Sequence, residues 1–258
     1  MENEGGIGHD DFENRICGGA MCSFGIYLHI TSHQVDGSGN WQKIGARNMT
    51  KSNKGLFITM EGPDGSGKST QMTLLCEYLR EQGVDFLQTR EPGGTAIGEK
   101  IRNLVLDKSH PEMDDLTEAM LYAAARAQHV AEVIRPALAQ GQLVVCDRFV
   151  DSSLVYQGYA RGLGQPVTVM NQLAVGDCLP DVTFLVLVDP KTGMNRIQHK
   201  DRDRLEQLDE TFHQKVYEGY IQLWEQSPNR IHRINGTRDQ KCVFEDVKDI
   251  IDPILAKR

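Results

Sequence analysis

From residue 56 onward, short apolar runs alternate with stretches whose apolar residues recur every three or four positions. Leu56-Phe57-Ile58-Thr59-Met60 reads as a strand, and Gln71 to Gln82 places Met72, Leu75 and Leu79 at helical spacing. Gly83 follows at the position that commonly ends a helix, because glycine accepts a left-handed backbone. Val84 to Thr89 is again strand-like, which closes a strand–helix–strand unit with a right-handed crossover. The turn Arg90-Glu91-Pro92-Gly93-Gly94-Thr95 then feeds a helix carrying Ile97, Ile101, Leu104 and Val105. Asp115 to Gln140 is helical, with Asp115 and Glu118 in the form of a capping box, and Pro136 should kink or interrupt it. Leu143-Val144-Val145-Cys146-Asp147 is a short buried strand ending in a carboxylate. Pro166 opens a helix expected to reach about Leu179, and Val182 to Val188 is the most apolar strand. A charge-dense segment from Pro190 to Glu206, a helix from Glu210 to Gln226, a strand at Ile231 to Asn235 and a final helix from about Val243, interrupted at Pro253, complete the pattern. Five strands alternating with helices predict an α/β fold, a five-stranded parallel sheet with helices on both faces.

Residues 1 to about 50 differ. They carry Gly5-Gly6, Gly18-Gly19 and Asp36-Gly37-Ser38-Gly39 without sustained periodicity, and only Phe24 to Ile30 suggests a short strand. A disordered extension is expected there, with Met49 a candidate natural start.

Between the first strand and its helix stands Gly62-Pro63-Asp64-Gly65-Ser66-Gly67-Lys68-Ser69-Thr70, which is G-x-x-x-x-G-K-S at the spacing of a P-loop. Its glycines let backbone N–H groups turn inward on one phosphate chain, and the helix starting near Lys68 adds the positive end of its dipole. Lys68 can reach the β and γ phosphates, and Ser69 can hold Mg2+. Asp147, ending a buried strand, has the profile of a Walker B carboxylate. These residues point to a nucleoside triphosphate site.

Composition narrows the class. Net charge is −8, with 36 acidic against 28 basic residues, which argues against general affinity for nucleic acid or an anionic membrane. No apolar run approaches the ~20 residues that span a bilayer, and the amino end lacks a signal peptide's basic region, so a cytoplasmic protein is expected. Six scattered cysteines, without C-x-x-C pairs, read mostly as small buried apolar residues.

Gly62 to Thr70, Arg90 to Thr95, Ala124-Ala125-Arg126, Asp147-Arg148-Phe149 and Tyr156-Gln157-Gly158, in this order, resemble the bacterial type of thymidylate kinase. The resemblance covers about residues 54 to 258. It implies the P-loop nucleoside monophosphate kinase fold and an ATP-dependent dTMP kinase that moves the γ-phosphate of MgATP to dTMP, giving dTDP and ADP, in a homodimer. It also implies roles. Asp64 matches the carboxylate that accepts from the sugar 3′-hydroxyl, Arg102 and Arg148 match arginines that grip the monophosphate, and Arg126 matches one that hydrogen-bonds the base. Tyr122 takes the place of a Phe that stacks on thymine, Ser153 and Gln157 match polar residues beside the base, and Tyr156 matches the ring that crowds the sugar 2′ position. The P-loop has no arginine, so the resemblance assigns the transition-state charge to the lid at about residues 190–206. That lid is one residue shorter than usual before Asp203-Arg204-Leu205-Glu206, and the expectation falls on Arg196 and Arg202 jointly. Lys68, with Asp147 orienting Mg2+ or its waters, completes the expected catalytic set. A kinase for another deoxynucleotide, or a nucleotide-dependent binding module, stays open; the second is weakened because the D-x-x-G of Asp36 to Gly39 precedes the P-loop and no N-K-x-D is present.

Overall fold

The computed structural model describes residues 33–35, 41–43, 55–199 and 203–258. The chain divides into two units, Met1–Asn48 and Met49–Arg258. In the first, β1 (His33–Val35) pairs antiparallel with β2 (Trp41–Lys43), within the stretch expected to lack regular structure. The candidate strand Phe24 to Ile30 lies outside the described residues.

The second unit is built on a five-stranded sheet in the order β4-β5-β3-β6-β7. Its strands are β3 (Leu56–Glu61), β4 (Phe86–Arg90), β5 (Leu143–Asp147), β6 (Val182–Leu187) and β7 (Ile231–Asn235), and every neighbouring pair is parallel. Alternation along the strands splits the core between two faces. Ile58, Met60, Val145, Phe184 and Val186 pack under α1 (Lys68–Glu81) and α9 (Gln240–Leu255), against Leu75, Leu79, Val243, Val247 and Ile251. Phe57, Val144, Cys146, Leu185 and Leu187 face the opposite side. That side is covered by α2 (Ala96–Leu106), α3 (Asp115–His129) and α8 (Glu210–Gln226), with α6 (Gln165–Val175) packed on α3. The shorter helices are α4 (Arg135–Ala139), α5 (Val150–Ser153) and α7 (Pro190–Ile197). Among the described residues no helix is long and apolar enough to cross a membrane.

Strand order places the functional end. The chain leaves β3 outward to β4, returns to β5 and crosses to β6 on the other side, so the order reverses at β3 and a crevice opens at its carboxyl end. Parallel register sets Met60 beside Asp147 and therefore brings the P-loop against the turn after β5.

Several local expectations are corrected. The cap of α3 is Asp114, whose carboxylate accepts from the N–H groups of Leu116 and Thr117; Glu118 turns inward instead of closing a capping box with Asp115. The α-helix expected over Asp115 to Gln140 is interrupted ahead of Pro136 as expected, but by a π-helical turn, Val130–Ile134, so that the chain stays helical and Pro136 stands in the first turn of α4, where no intrahelical N–H is needed. Helix α6 stops at Val175, four residues short of Leu179, because Gly176 takes a φ of 58°. The last helix starts earlier than Val243, since Asp239 caps it, and it runs through Pro253, which stands too near its end to forfeit more than about one backbone bond. Of the cysteines, Cys76, Cys146 and Cys178 are buried, Cys242 is exposed, and Cys17 and Cys22 lie outside the described residues.

Candidate active site

The P-loop curls through three glycines with positive φ, Gly62 at 144°, Gly65 at 71° and Gly67 at 96°. Two of them are also required by close approach. A Cβ at Gly62 would meet the Val186 carbonyl oxygen at 2.1 Å, and one at Gly65 would meet that of Gly193 at 2.0 Å. Helix α7 thus docks directly on the P-loop, and Arg196 on that helix donates to the carbonyls of Gly65 (3.3 Å) and Gly236 (3.1 Å). Lys68 opens α1 and donates to the Pro63 carbonyl at 2.8 Å.

Arg148, directly after β5, has a φ of 62°, a left-handed backbone that a non-glycine residue adopts only when its surroundings hold it there. The restraints are visible. Its N–H donates to Met60 O, the next N–H, of Phe149, donates to Glu61 Oε1 at 2.7 Å, and Cys146 Sγ donates to the Arg148 carbonyl. The guanidinium is thereby aimed across the crevice, where it donates to Asp64 Oδ1 (2.5 Å), Gly62 O (3.1 Å), Ser152 Oγ (3.1 Å) and the Tyr156 and Tyr220 hydroxyls (3.3 Å each). Tyr156 in turn donates to Asp64 Oδ2 at 2.9 Å, and its ring lies under the guanidinium at 5.2 Å.

The groups expected from the sequence surround one cavity of about 430 Å³. Its lining includes Asp64, Gly65, Gly67, Lys68, Ser69, Thr70, Asp147 and Arg196 together with Arg102, Tyr122, Arg126, Arg148, Ser153, Tyr156 and Gln157. Gly62, Pro63 and Ser66 shape the loop without lining it, and Arg202 lies outside the described residues. Arg102 donates to Pro92 O at 2.9 Å, which holds it over the turn after β4. Arg126 is almost wholly buried: it donates to Glu91 (2.7 Å), Ser153 Oγ (2.9 Å), Asn171 and the Phe149 carbonyl (3.0 Å), which engages four of its five N–H groups.

Three buried carboxylates organise this cavity in roles that the sequence did not indicate. Glu91 joins Arg126 and His129, and His129 reaches Thr89. Glu118 receives Gln157, Arg161 and Arg204, so the end of the charge-dense segment is folded onto α3 rather than solvated. Glu61 receives Phe149 N, Ser152 N, Ser152 Oγ and Tyr220 OH. Each reads as an ordinary polar residue because its partners lie far off in the chain.

Burial and the charges present set the ionisation. Burial pushes the Glu61 carboxyl up, and neighbouring Asp151 adds to this, while its hydrogen bonds and Arg148 oppose; the balance is about 7 against an ordinary 4.5. Burial and the facing Arg148 bring Lys68 down to about 8, against the pull of Asp64, Asp147 and Glu61. For Asp64 burial acts upward, but Arg148, Lys68 and the Tyr156 hydrogen bond outweigh it and hold the carboxyl below its usual range. The Glu61 shift has a testable sign. Between about 4.5 and 7 the folded protein holds more of this proton than the unfolded chain, so its contribution to stability falls as pH rises through that window. Glu61→Gln should therefore flatten the stability profile between those pH values by up to ~1.4 kcal/mol per pH unit. Melting curves of both proteins across that range check this; parallel profiles would show that the carboxyl ionises normally.

Asp147 Oδ1 and Ser66 Oγ are buried and have no hydrogen-bond partner among the described residues. Asp147 and Ser69 line the same cavity, so an orphaned carboxylate oxygen stands with a hydroxyl where a divalent cation would be shared with phosphate oxygens. Few protein ligands plus phosphate and water is the manner in which Mg2+ is usually held, and the residues fit it.

Comparison with known proteins agrees with this geometry. The family profile described as thymidylate kinase matches residues 60–247. The chain is 46% identical over 203 residues to a thymidylate kinase of Clostridium novyi, covering 77% of this chain and 99% of that one. It is 49% identical over 195 residues to one from a Geobacillus species, covering 74% and 93%. A solved thymidylate kinase from Ehrlichia chaffeensis superimposes with a TM-score of 0.63 at 36% identity, covering 77% of this chain and 99% of the other. With P-loop, strained arginine turn and their shared cavity at the carboxyl end of the sheet, and with these matches along most of its length, the chain belongs to the thymidylate kinase family.

Proposed function

We propose that the protein transfers the γ-phosphate of MgATP to dTMP, giving dTDP and ADP. The observation that carries this is the shared cavity: the P-loop opens into the same space as Arg102, Arg148, Tyr122, Arg126 and Gln157, so a donor triphosphate and an acceptor nucleotide can meet in line. The acceptor is already an ionised phosphate and needs no strong base, so catalysis rests on positioning and charge neutralisation. Bound Mg2+, held through Ser69 and Asp147, would neutralise charge on the phosphate oxygens. Lys68 holds the donor phosphates, and Arg102 and Arg148 hold the acceptor phosphate, each guanidinium able to take two oxygens. Asp64 and Tyr156, already hydrogen-bonded to each other, meet the sugar; Tyr122 stacks on the base, and Arg126, Ser153 and Gln157 read its edge. Arg196 and Arg202 supply lid charge. Arg196 stands within reach of the P-loop backbone, which supports this role.

A kinase for another deoxynucleotide or a binding module without phosphotransfer is not favoured, because thymidylate kinases match over nearly their whole length. ADP release from MgATP, coupled to NADH oxidation, tests the acceptor: dTMP should outrun UMP, CMP, AMP and GMP by orders of magnitude, and comparable turnover of any of them would sink the reading. The cytoplasm, where nucleotide pools reside, is the compartment this reaction fits.

The partner is a second copy of the chain. Ile97 and Leu104 on α2, Leu116 and Met120 on α3, and Leu173 on α6 stand exposed on helices that pack side by side, and this apolar layer supports a two-fold contact. Met120→Arg combined with Leu173→Glu should turn a dimer into a monomer in sedimentation velocity. A wild-type protein that is already monomeric at assay concentration contradicts it.

A further inference from the structure

We propose that Glu118 is the positioning residue for base selection: by accepting a hydrogen bond from the Gln157 side-chain amide, it fixes that amide with one acceptor and one donor facing the cavity. That edge matches thymine and uracil but not cytosine. The inference rests on the reading of the cavity as a dTMP site.

Glu118 is fully buried on α3, and its oxygens accept three side-chain bonds. Oε1 receives Gln157 Nε2 at 2.8 Å, and Oε2 receives Arg161 at 2.9 Å and Arg204 at 2.5 Å. Arg204 is itself held by the Val105 carbonyl, and Arg161 by Asp115, so both cations are fixed where they occupy Oε2 and leave Oε1 to Gln157. A carboxylate between two guanidinium groups offers acceptors only. Gln157 therefore cannot turn its amide over, because its carbonyl oxygen would then face Oε1, two acceptors in contact in a buried site. With one Nε2 hydrogen held by Glu118, the other hydrogen and Oε1 remain for the cavity that Gln157 lines. Thymine presents a carbonyl oxygen beside the N3–H, which pairs with that donor and acceptor. Cytosine presents an amino group beside an unprotonated N3, so each of its groups meets its like.

Glu118→Gln keeps the volume but can accept or donate, and so releases the amide. Steady-state assays at saturating MgATP with dTMP, dUMP and dCMP read the consequence. The dTMP-to-dCMP ratio of kcat/KM should fall about tenfold or more, through KM, while the dTMP-to-dUMP ratio holds because thymine and uracil share this edge. A role confined to holding α3 against the segment around Arg204 predicts a lowered Tm with both ratios unchanged, and that result would overturn the proposal. Should the variant fail to fold, nitrogen-15-labelled wild-type protein provides the reading: before any nucleotide is added, the Gln157 amide hydrogen held by Glu118 should exchange with solvent more slowly than the one facing the cavity, and equally rapid exchange of both overturns the proposal. A wild-type protein that does not prefer dTMP to dCMP removes the functional reading and this inference together, whereas preference in the wild type with an unchanged ratio in Glu118→Gln removes only the role of Glu118.

Discussion

Arg148→Ala should lower kcat/KM for dTMP by about 10² to 10³ or more while ATP binding is largely kept, since each hydrogen bond to a charged group is worth ~1.5 to 3 kcal/mol and the phosphate grip uses two. The strained backbone at 62° is the physical sign that this side chain is aimed at some cost, and Phe149 N on Glu61 and Arg148 N on Met60 O hold the turn in place. The guanidinium also ties Asp64, Gly62 and Ser152 together, so some loss of Tm is expected in the same variant. Arg148→Lys separates the two contributions. A point charge can restore part of the neutralisation but cannot reproduce the planar fork, so partial recovery of dTMP kinetics is expected. A well-folded Arg148→Ala protein with unchanged dTMP kinetics would rule out the phosphate role.

Lys68→Met should cost about 10² to 10³ in kcat, the usual loss when one preorganised donor to a developing charge is removed. Burial and Arg148 bring the Lys68 ammonium down to about 8, so in the free protein the cation fraction is lost as pH rises past that value. The wild-type profile of kcat/KM should accordingly bend downward near pH 8, and the residual activity of Lys68→Met should lack that limb. A variant with wild-type kcat, or one that keeps the same basic limb, would take Lys68 out of the reaction.

The alternation of apolar runs and helical stripes made the architecture legible, because a sheet buried on both faces leaves a nearly continuous apolar signature in Leu143–Cys146 and Val182–Leu187. Helix Glu210–Gln226 and strand Ile231–Asn235 fall where the pattern puts them. Ends governed by single side chains or backbone angles were harder: Asp114 rather than Asp115 caps α3, and Gly176 cuts α6 short. The cavity's outline was legible through the P-loop and the resemblance. Its supporting carboxylates were not, because Glu61, Glu91 and Glu118 acquire meaning only from Tyr220, Arg126 and Arg204, which the fold brings from 159, 35 and 86 residues away. The closest sequence signal was the position of Glu61, directly after the apolar run Leu56 to Met60, and of Glu91, two residues beyond the strand-like run Val84 to Thr89.

Transfer of a phosphoryl group to dTMP is tested most directly by following the label from ATP radiolabelled in its γ-phosphate, with dTMP and Mg2+ present. The label should leave ATP only when dTMP is supplied and should be recovered in the β-phosphate of dTDP. Label released as inorganic phosphate, or ATP retained intact while nucleotide binds, would contradict it.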